Sequence, residues 1–147
     1  MSNKLVKPQQ QNNVITINDG TKIYEIRNQR GELKGKFTFA PTDSNIVTRY
    51  EEVVDFFNHY EVPEDAEKED VSEIIQEQLV RKISYLINAD ADDAFFKILG
   101  ALTPLPSGYL YVEDVLYNIG KVIDKEFKMS TKKVQRRMNK YVAKYHK

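Results

Sequence analysis

The feature that most narrows the fold is a change of hydrophobic period at Pro41. Before it, apolar residues alternate with polar ones; after it, they recur every three or four positions. A period of two puts side chains on opposite faces of a strand, and a period near 3.6 gathers them on one face of a helix. Strands held to one end of a chain and helices to the rest point to the α+β class, an antiparallel sheet covered by helices. Three strands are expected. Val14-Ile15-Thr16-Ile17 runs into Asn18-Asp19-Gly20-Thr21, where Asp-Gly favours a hairpin turn. Ile23, Tyr24 and Ile26 belong to a second strand, and Asn28-Gln29-Arg30-Gly31 turns the chain again. Residues 35–40 form a third strand with Phe37 and Phe39 on one face, and the glycines at 31 and 35 read as turn residues between strands. The expectation for residues 13–40 is a three-stranded antiparallel β-meander with one apolar face, which needs helices to cover it.

Beyond Pro41, residues 42–147 read as a bundle of four to five α-helices. Thr42, Asp43 or Ser44 can cap the first, whose stripe is Ile46, Val47, Tyr50, Val53, Val54 and Phe57. A charged linker over 60–70 precedes a second stripe of Val71, Ile74, Ile75, Leu79, Ile83, Leu86 and Ile87. A short third helix carries Phe95, Phe96, Ile98 and Leu99, with Gly100 to stop it. Residues 101–108, ALTPLPSG, form a loop, and Tyr109 to Tyr111 either extend it or lead straight into a helix. Val112, Val115, Leu116, Ile119, Val122, Ile123 and Phe127 make the next stripe. The last stripe is Val134, Met138, Tyr141, Val142 and Tyr145, opposed by Lys132, Lys133, Arg136, Arg137, Lys140 and Lys144 with no acidic residue among them. These two helices are either one rod or break near Met129-Ser130. Residues 1–12, polar and rich in Gln and Asn, read as a disordered tail ahead of a single domain over 13–147.

Charge is balanced overall at 22 basic and 22 acidic side chains, but unevenly laid out. Residues 51–95 carry 3 basic and 14 acidic groups, whereas 120–147 carry 10 and 2. The basic end either meets the acidic middle, within the fold or between copies, or is offered to an external polyanion. Complementary ends on one chain favour head-to-tail self-association. The chain has no cysteine, which removes disulfides, thiolate nucleophiles and Cys-based zinc sites. Its first residues lack the apolar run of a signal peptide, and no stretch approaches the roughly 20 apolar residues of a membrane span. A cytoplasmic protein with no membrane contact is expected.

No catalytic or cofactor site emerges. Asn88-Ala-Asp90-Ala-Asp92-Asp93 opens like a calcium loop, but the sixth position is Asp93 rather than Gly and the twelfth is Leu99 rather than Glu. Asp90 or Asp92 serves better as a helix cap. Glu51, Glu52 and Asp55 read as a solvated helix face, and His59 as a cation at a helix C-terminus. Neither the glycines at 31 and 35 nor Ser107-Gly108 has the spacing of a P-loop or a nucleophile elbow. The basic helix could bind phosphates with its tyrosines stacking on bases. Tyr141 and Tyr145 lie on the apolar stripe, however, and the sequence pI near 6.7 does not suit a dedicated nucleic-acid binder.

Three segments in order resemble a known family: residues 15–57 (ITINDGTKIYEIRNQRGELKGKFTFAPTDSNIVTRYEEVVDFF), 104–127 (PLPSGYLYVEDVLYNIGKVIDKEF) and 132–146 (KKVQRRMNKYVAKYH). Together they are similar to tail assembly chaperones of long-tailed, siphovirus-type bacteriophages and Gram-positive prophages. The resemblance implies a non-enzymatic protein without cofactor that coats the tape measure protein and keeps it soluble in the host cytoplasm until the tail tube forms around it. It also implies self-association and absence from the finished virion. Two contact surfaces follow from it: the basic helix with Lys133, Arg136, Arg137, Lys140 and Lys144, and the loop with Leu105, Tyr109 and Tyr111. The loop aromatics either stand exposed as anchors or roof the core. The competing expectation is a small nucleic-acid-binding regulator acting through the basic helix.

Overall fold

The computed structural model describes residues 13–61, 64 and 69–145, with the backbone alone at 69, 70 and 129–145. The tail expected over 1–12 lies outside the described residues, as does most of the 60–70 linker. Among the described residues the order is strand β1 (Lys22–Arg27), strand β2 (Leu33–Phe39), helix α1 (Ile46–His59), helix α2 (Glu69–Ile87), a π-helical turn (Asp92–Phe96) and helix α3 (Tyr111–Tyr145). The class is α+β, but the three-stranded meander is not found: the sheet has two strands.

Strands β1 and β2 form an antiparallel hairpin. Asn28 closes it by accepting the Arg30 and Glu32 amides on its side-chain oxygen, each at 3.0 Å, and Gly31 supplies the left-handed step at φ 83°. The expected first strand fails because the turn that should have launched it is satisfied locally. The side chain of Asn18 accepts the Gly20 amide and that of Asp19 accepts the Thr21 amide, both at 3.0 Å. Such bonds offer the backbone an alternative to a ladder, and among the described residues the segment 14–17 forms no ladder with any strand.

The hairpin turns Tyr24, Ile26, Phe37 and Phe39 toward the helical part. Ring centroids of Phe37 and Phe95 lie 5.1 Å apart, within the range of favourable tilted aromatic pairs. Gly35 does not serve a turn: it lies inside β2, where a Cβ would stand 2.7 Å from the Ala94 carbonyl oxygen. Its missing side chain lets the strand backbone lie directly on the π-helical turn.

The helical core follows the expected stripes with trimmed edges. Ile46 and Val53 of α1 are buried, as are Ile75, Leu79, Ile83, Leu86 and Ile87 of α2 and Val112, Val115, Leu116, Ile119 and Ile123 of α3. Val47, Ile74 and Leu99, counted in those stripes, face outward. None of Thr42, Asp43 and Ser44 is the cap of α1; Asn45 holds that place without a side-chain bond, and Asp43 instead accepts the Asn45 amide. Helix α2 is closed by Asn88 at φ 54°, with the Ala89 amide bonded back to the Ser84 carbonyl, a left-handed C-terminal motif.

The count of four to five α-helices is also corrected, to three among the described residues plus the π-helical turn. The expected third helix is that turn, in which the Lys97 amide reaches the Asp92 carbonyl five residues back. The wider turn brings Ala94, Phe95 and Phe96 all into the core; Ala91, not Asp90 or Asp92, holds its N-cap place, and the Asp90 side chain accepts the Asp93 amide at 3.3 Å. The last two expected helices are one rod, because residues 128–131, Lys-Met-Ser-Thr, include neither glycine nor proline to stop a helix. Where α1 crosses α3, Gly120 makes room for the Tyr50 ring, whose Cζ would lie 2.6 Å from a Cβ at that position.

Replacing a strand glycine by alanine ordinarily helps a sheet, yet here Gly35→Ala is expected to destabilise the fold by about 1–3 kcal/mol through overpacking against Ala94. Gly120→Ala should cost a similar amount and recover most of it in a Tyr50→Leu background. Urea unfolding of the four variants measures both; a neutral Gly35→Ala would mean that β2 stands off the π-helical turn.

Candidate functional site

The hairpin does not close over the helices. Between its apolar face, the π-helical turn, the loop after that turn and the first half of α3 lies an open cleft of about 920 Å³. Its floor is Phe37, Phe39, Phe95, Val115 and Ile119, and its walls include Tyr24, Ile26, Ile98, Leu105 and Val122. Charged side chains of Glu25, Arg27, Arg30, Lys34 and Asp114 stand among its lining residues. An apolar floor with scattered polar groups is the make-up of a binding cleft rather than of a reaction centre.

The loop that forms one wall is rigidly built. Leu105, Pro106, Ser107 and Gly108 make a turn closed by the Gly108 amide on the Leu105 carbonyl at 2.9 Å, with Pro106 at its second position and Gly108 at φ 91°. The Leu105 amide bonds the Tyr109 carbonyl at 2.8 Å, and Pro104 bridges Leu110. The chain bends at Tyr109, Leu110 pairs with Pro104, and α3 starts at Tyr111. Glu113 reaches back to accept the Leu110 amide at 2.8 Å, the return half of a capping box.

The three loop residues singled out from the sequence separate into three roles. Leu105 is half-buried in the cleft wall. Tyr109 is 61% exposed and does not line the cleft. Tyr111 roofs the core: its hydroxyl donates to the Phe95 carbonyl at 3.0 Å and its ring meets Phe96 edge-on at 5.7 Å. The backbone places Lys133, Arg136, Arg137, Lys140 and Lys144 along the distal part of α3, and their side chains lie outside the described residues.

The sequence reading missed the opposite wall. Tyr24, Ile26 and Val122 were read only as members of apolar stripes, and the spacing of those stripes carried no sign that a gap would remain between two of them. At the α3 end of that wall, the Lys22 ammonium bonds the Glu126 carboxylate at 2.8 Å, tying the start of β1 to the long helix. The Tyr24 hydroxyl is enclosed nearby and has no hydrogen-bond partner among the described residues. Burial, and then the Glu126 carboxylate, push its ionisation above the ordinary tyrosine value, with Lys22 partly opposing. Burial does the same to Tyr50, and burial with Asp114 to Tyr111. Among the described residues no three His, Asp or Glu side chains converge as a metal site would need, and no helix is long and apolar enough to cross a membrane.

Tyr24→Phe keeps the ring and removes the unpaired hydroxyl, so it is expected to raise stability by about 1 kcal/mol; a loss in urea titration would show that the hydroxyl has a partner. The three tyrosines ionise less readily folded than unfolded. Their contribution is therefore constant below pH 10 and stability falls as pH rises through and beyond it. Unfolding midpoints from pH 8 to 12 check this, and a Tyr24→Phe/Tyr50→Phe/Tyr111→Phe chain should fall less steeply.

Comparison of the chain with protein-family profiles, curated proteins and solved structures finds no match.

Proposed function

We propose that this chain is a non-enzymatic tail assembly chaperone of a long-tailed phage or prophage, which holds the tape measure protein in the host cytoplasm during tail building and is absent from the virion. The observation that supports it is the apolar cleft beside α3. Two turns of a helix, a cylinder roughly 10 Å wide and 11 Å long, displace on the order of 850 Å³, comparable with the 920 Å³ of the cleft. An amphipathic helix laid on Phe37, Ile98, Leu105 and Val122 would bury its stripe there, the helix-in-groove mode of recognition. A long helical client offers such a stripe many times, so many copies of a small chaperone can line it.

The basic run 132–144 on the distal part of α3 gives a second contact in this reading, toward acidic residues of the client or of a neighbouring copy. The competing reading, a nucleic-acid-binding regulator, uses the same run and assigns no role to the cleft.

Co-expression with a phage tape measure protein, followed by co-purification and mass measurement, tests the proposal. The expected result is a soluble complex with several copies per client. Leu105→Asp/Val122→Asp, which puts charge into the cleft wall, should weaken capture roughly 10-fold or more while leaving the circular dichroism spectrum unchanged. Charge reversal at Arg136, Arg137 and Lys140 should weaken it further. An insoluble client beside a free chain whose binding to nucleic acid weakens steeply with salt would favour the regulator instead.

A further inference from the structure

Two strand-like pieces of this chain lack a ladder where one could form. Residues 14–17 carry three β-branched apolar side chains that stand in solvent, Val14 at 64% exposure, Ile15 at 88% and Ile17 at 76%. Strand β1 pairs with β2 along one edge, and among the described residues nothing pairs with its other edge. Ile23, on the face of β1 turned away from the cleft, is 71% exposed. An exposed β-prone segment and an open edge are each templates for strand pairing. Within one subunit the side-chain bonds of Asn18 and Asp19 hold the turn that keeps them apart.

We propose that residues 14–17 of one copy pair with the free edge of β1 in a second copy, reciprocally, so that two chains exchange this segment in a two-fold dimer. Opening the turn at 18–21 makes 14–27 one continuous strand that lies antiparallel to its own counterpart. Donor and acceptor are present in every copy in equal number, and reciprocal exchange closes the assembly without a further partner.

Symmetry restricts the register. A two-fold axis normal to an antiparallel pair passes where a residue faces itself, so the numbers of opposed residues sum to an even value. Ile15 and Ile17 then share the face of Ile23, and the cleft side of β1 is left free. Centring on residue 19 would set Asp19 against Asp19, a like-charge pair directly opposed. Centring on 21 would set Asp19 against Ile23. Centring on Gly20 sets Ile17 against Ile23 twice in each dimer and Asp19 against Thr21, a pair that already hydrogen-bonds within the subunit. Glu25, opposite Ile15 in this register, is held by Arg27 at 2.8 Å. The structure assigns the axis to Gly20.

Apart from Glu25, which also lines the cleft, this surface lies on the other face of the hairpin, and its test reads the mass of the chain without a client, so it stands or falls apart from the chaperone reading. The chain has no cysteine, so Ile17→Cys/Ile23→Cys provides a clean cross-link in the full-length protein. Sedimentation of the unmodified chain should give twice the 17.1 kDa of one copy. Oxidised Ile17→Cys/Ile23→Cys should run as a covalent dimer on denaturing gels. Ile15→Lys/Ile17→Lys should weaken dimerisation on the order of 10-fold or more with an unchanged circular dichroism spectrum, since both side chains already face solvent in the subunit. A single-chain mass at every concentration, a link formed within one chain, or a dimer indifferent to Ile15→Lys/Ile17→Lys would each overturn the proposal.

Discussion

The contact of β2 with the π-helical turn is the constraint on which the rest of the architecture depends. A two-stranded hairpin has too little of its own core to persist alone in water, and here it is held by Phe37 and Phe39 against Phe95, with Gly35 bringing the backbones together. The π-helical turn can receive it because five-residue bonding puts Ala94, Phe95 and Phe96 on one side. That turn is itself pinned from behind by the Tyr111 hydroxyl on the Phe95 carbonyl. A chain of packed aromatic groups thus runs from the hairpin through the turn to the start of α3.

The same arrangement leaves the cleft. The hairpin is anchored at the π-helical turn and again by Lys22 on Glu126, and between these anchors its inner face is not covered. The Lys22 end of the ion pair is exposed and the Glu126 end half-buried; solvent at the lysine limits its contribution to stability, and it sets the position of β1 against α3. Apolar surface is retained between two rigid supports, which suits a groove that accepts a helix without first rearranging. The outer face of the hairpin carries a different exposed surface, with Ile23 near the unpaired segment at 14–17. A client on one face and a second copy on the other would not compete.

Periodicity determined the elements wherever the element's own residues decide them. The change of period at Pro41, the stripes of α1, α2 and the first half of α3, and the turn at 28–31 all depend on interactions within a few residues, and they are found where the pattern places them. The expected first strand at 14–17 depended on a partner across the turn, and Asn18 and Asp19 satisfied the backbone before any partner could. Whether the apolar run after residue 90 would wind as an α-helix or a π-helical turn depended on how many of its side chains had to enter the core, which no local pattern records. Leu105 and Tyr111 were legible as loop residues beside a helix start, but only packing separated the cleft wall from the core roof.

Sequence by itself therefore determined the α+β class, the helix stripes and the concentration of positive charge at the end of the chain, because alternation, capping and net charge are properties of neighbours along the backbone. Tertiary structure alone decided the π-helical turn, the role of Gly35 and the existence of the cleft. Each of these arises from surfaces distant in sequence that must fill, or fail to fill, one shared volume.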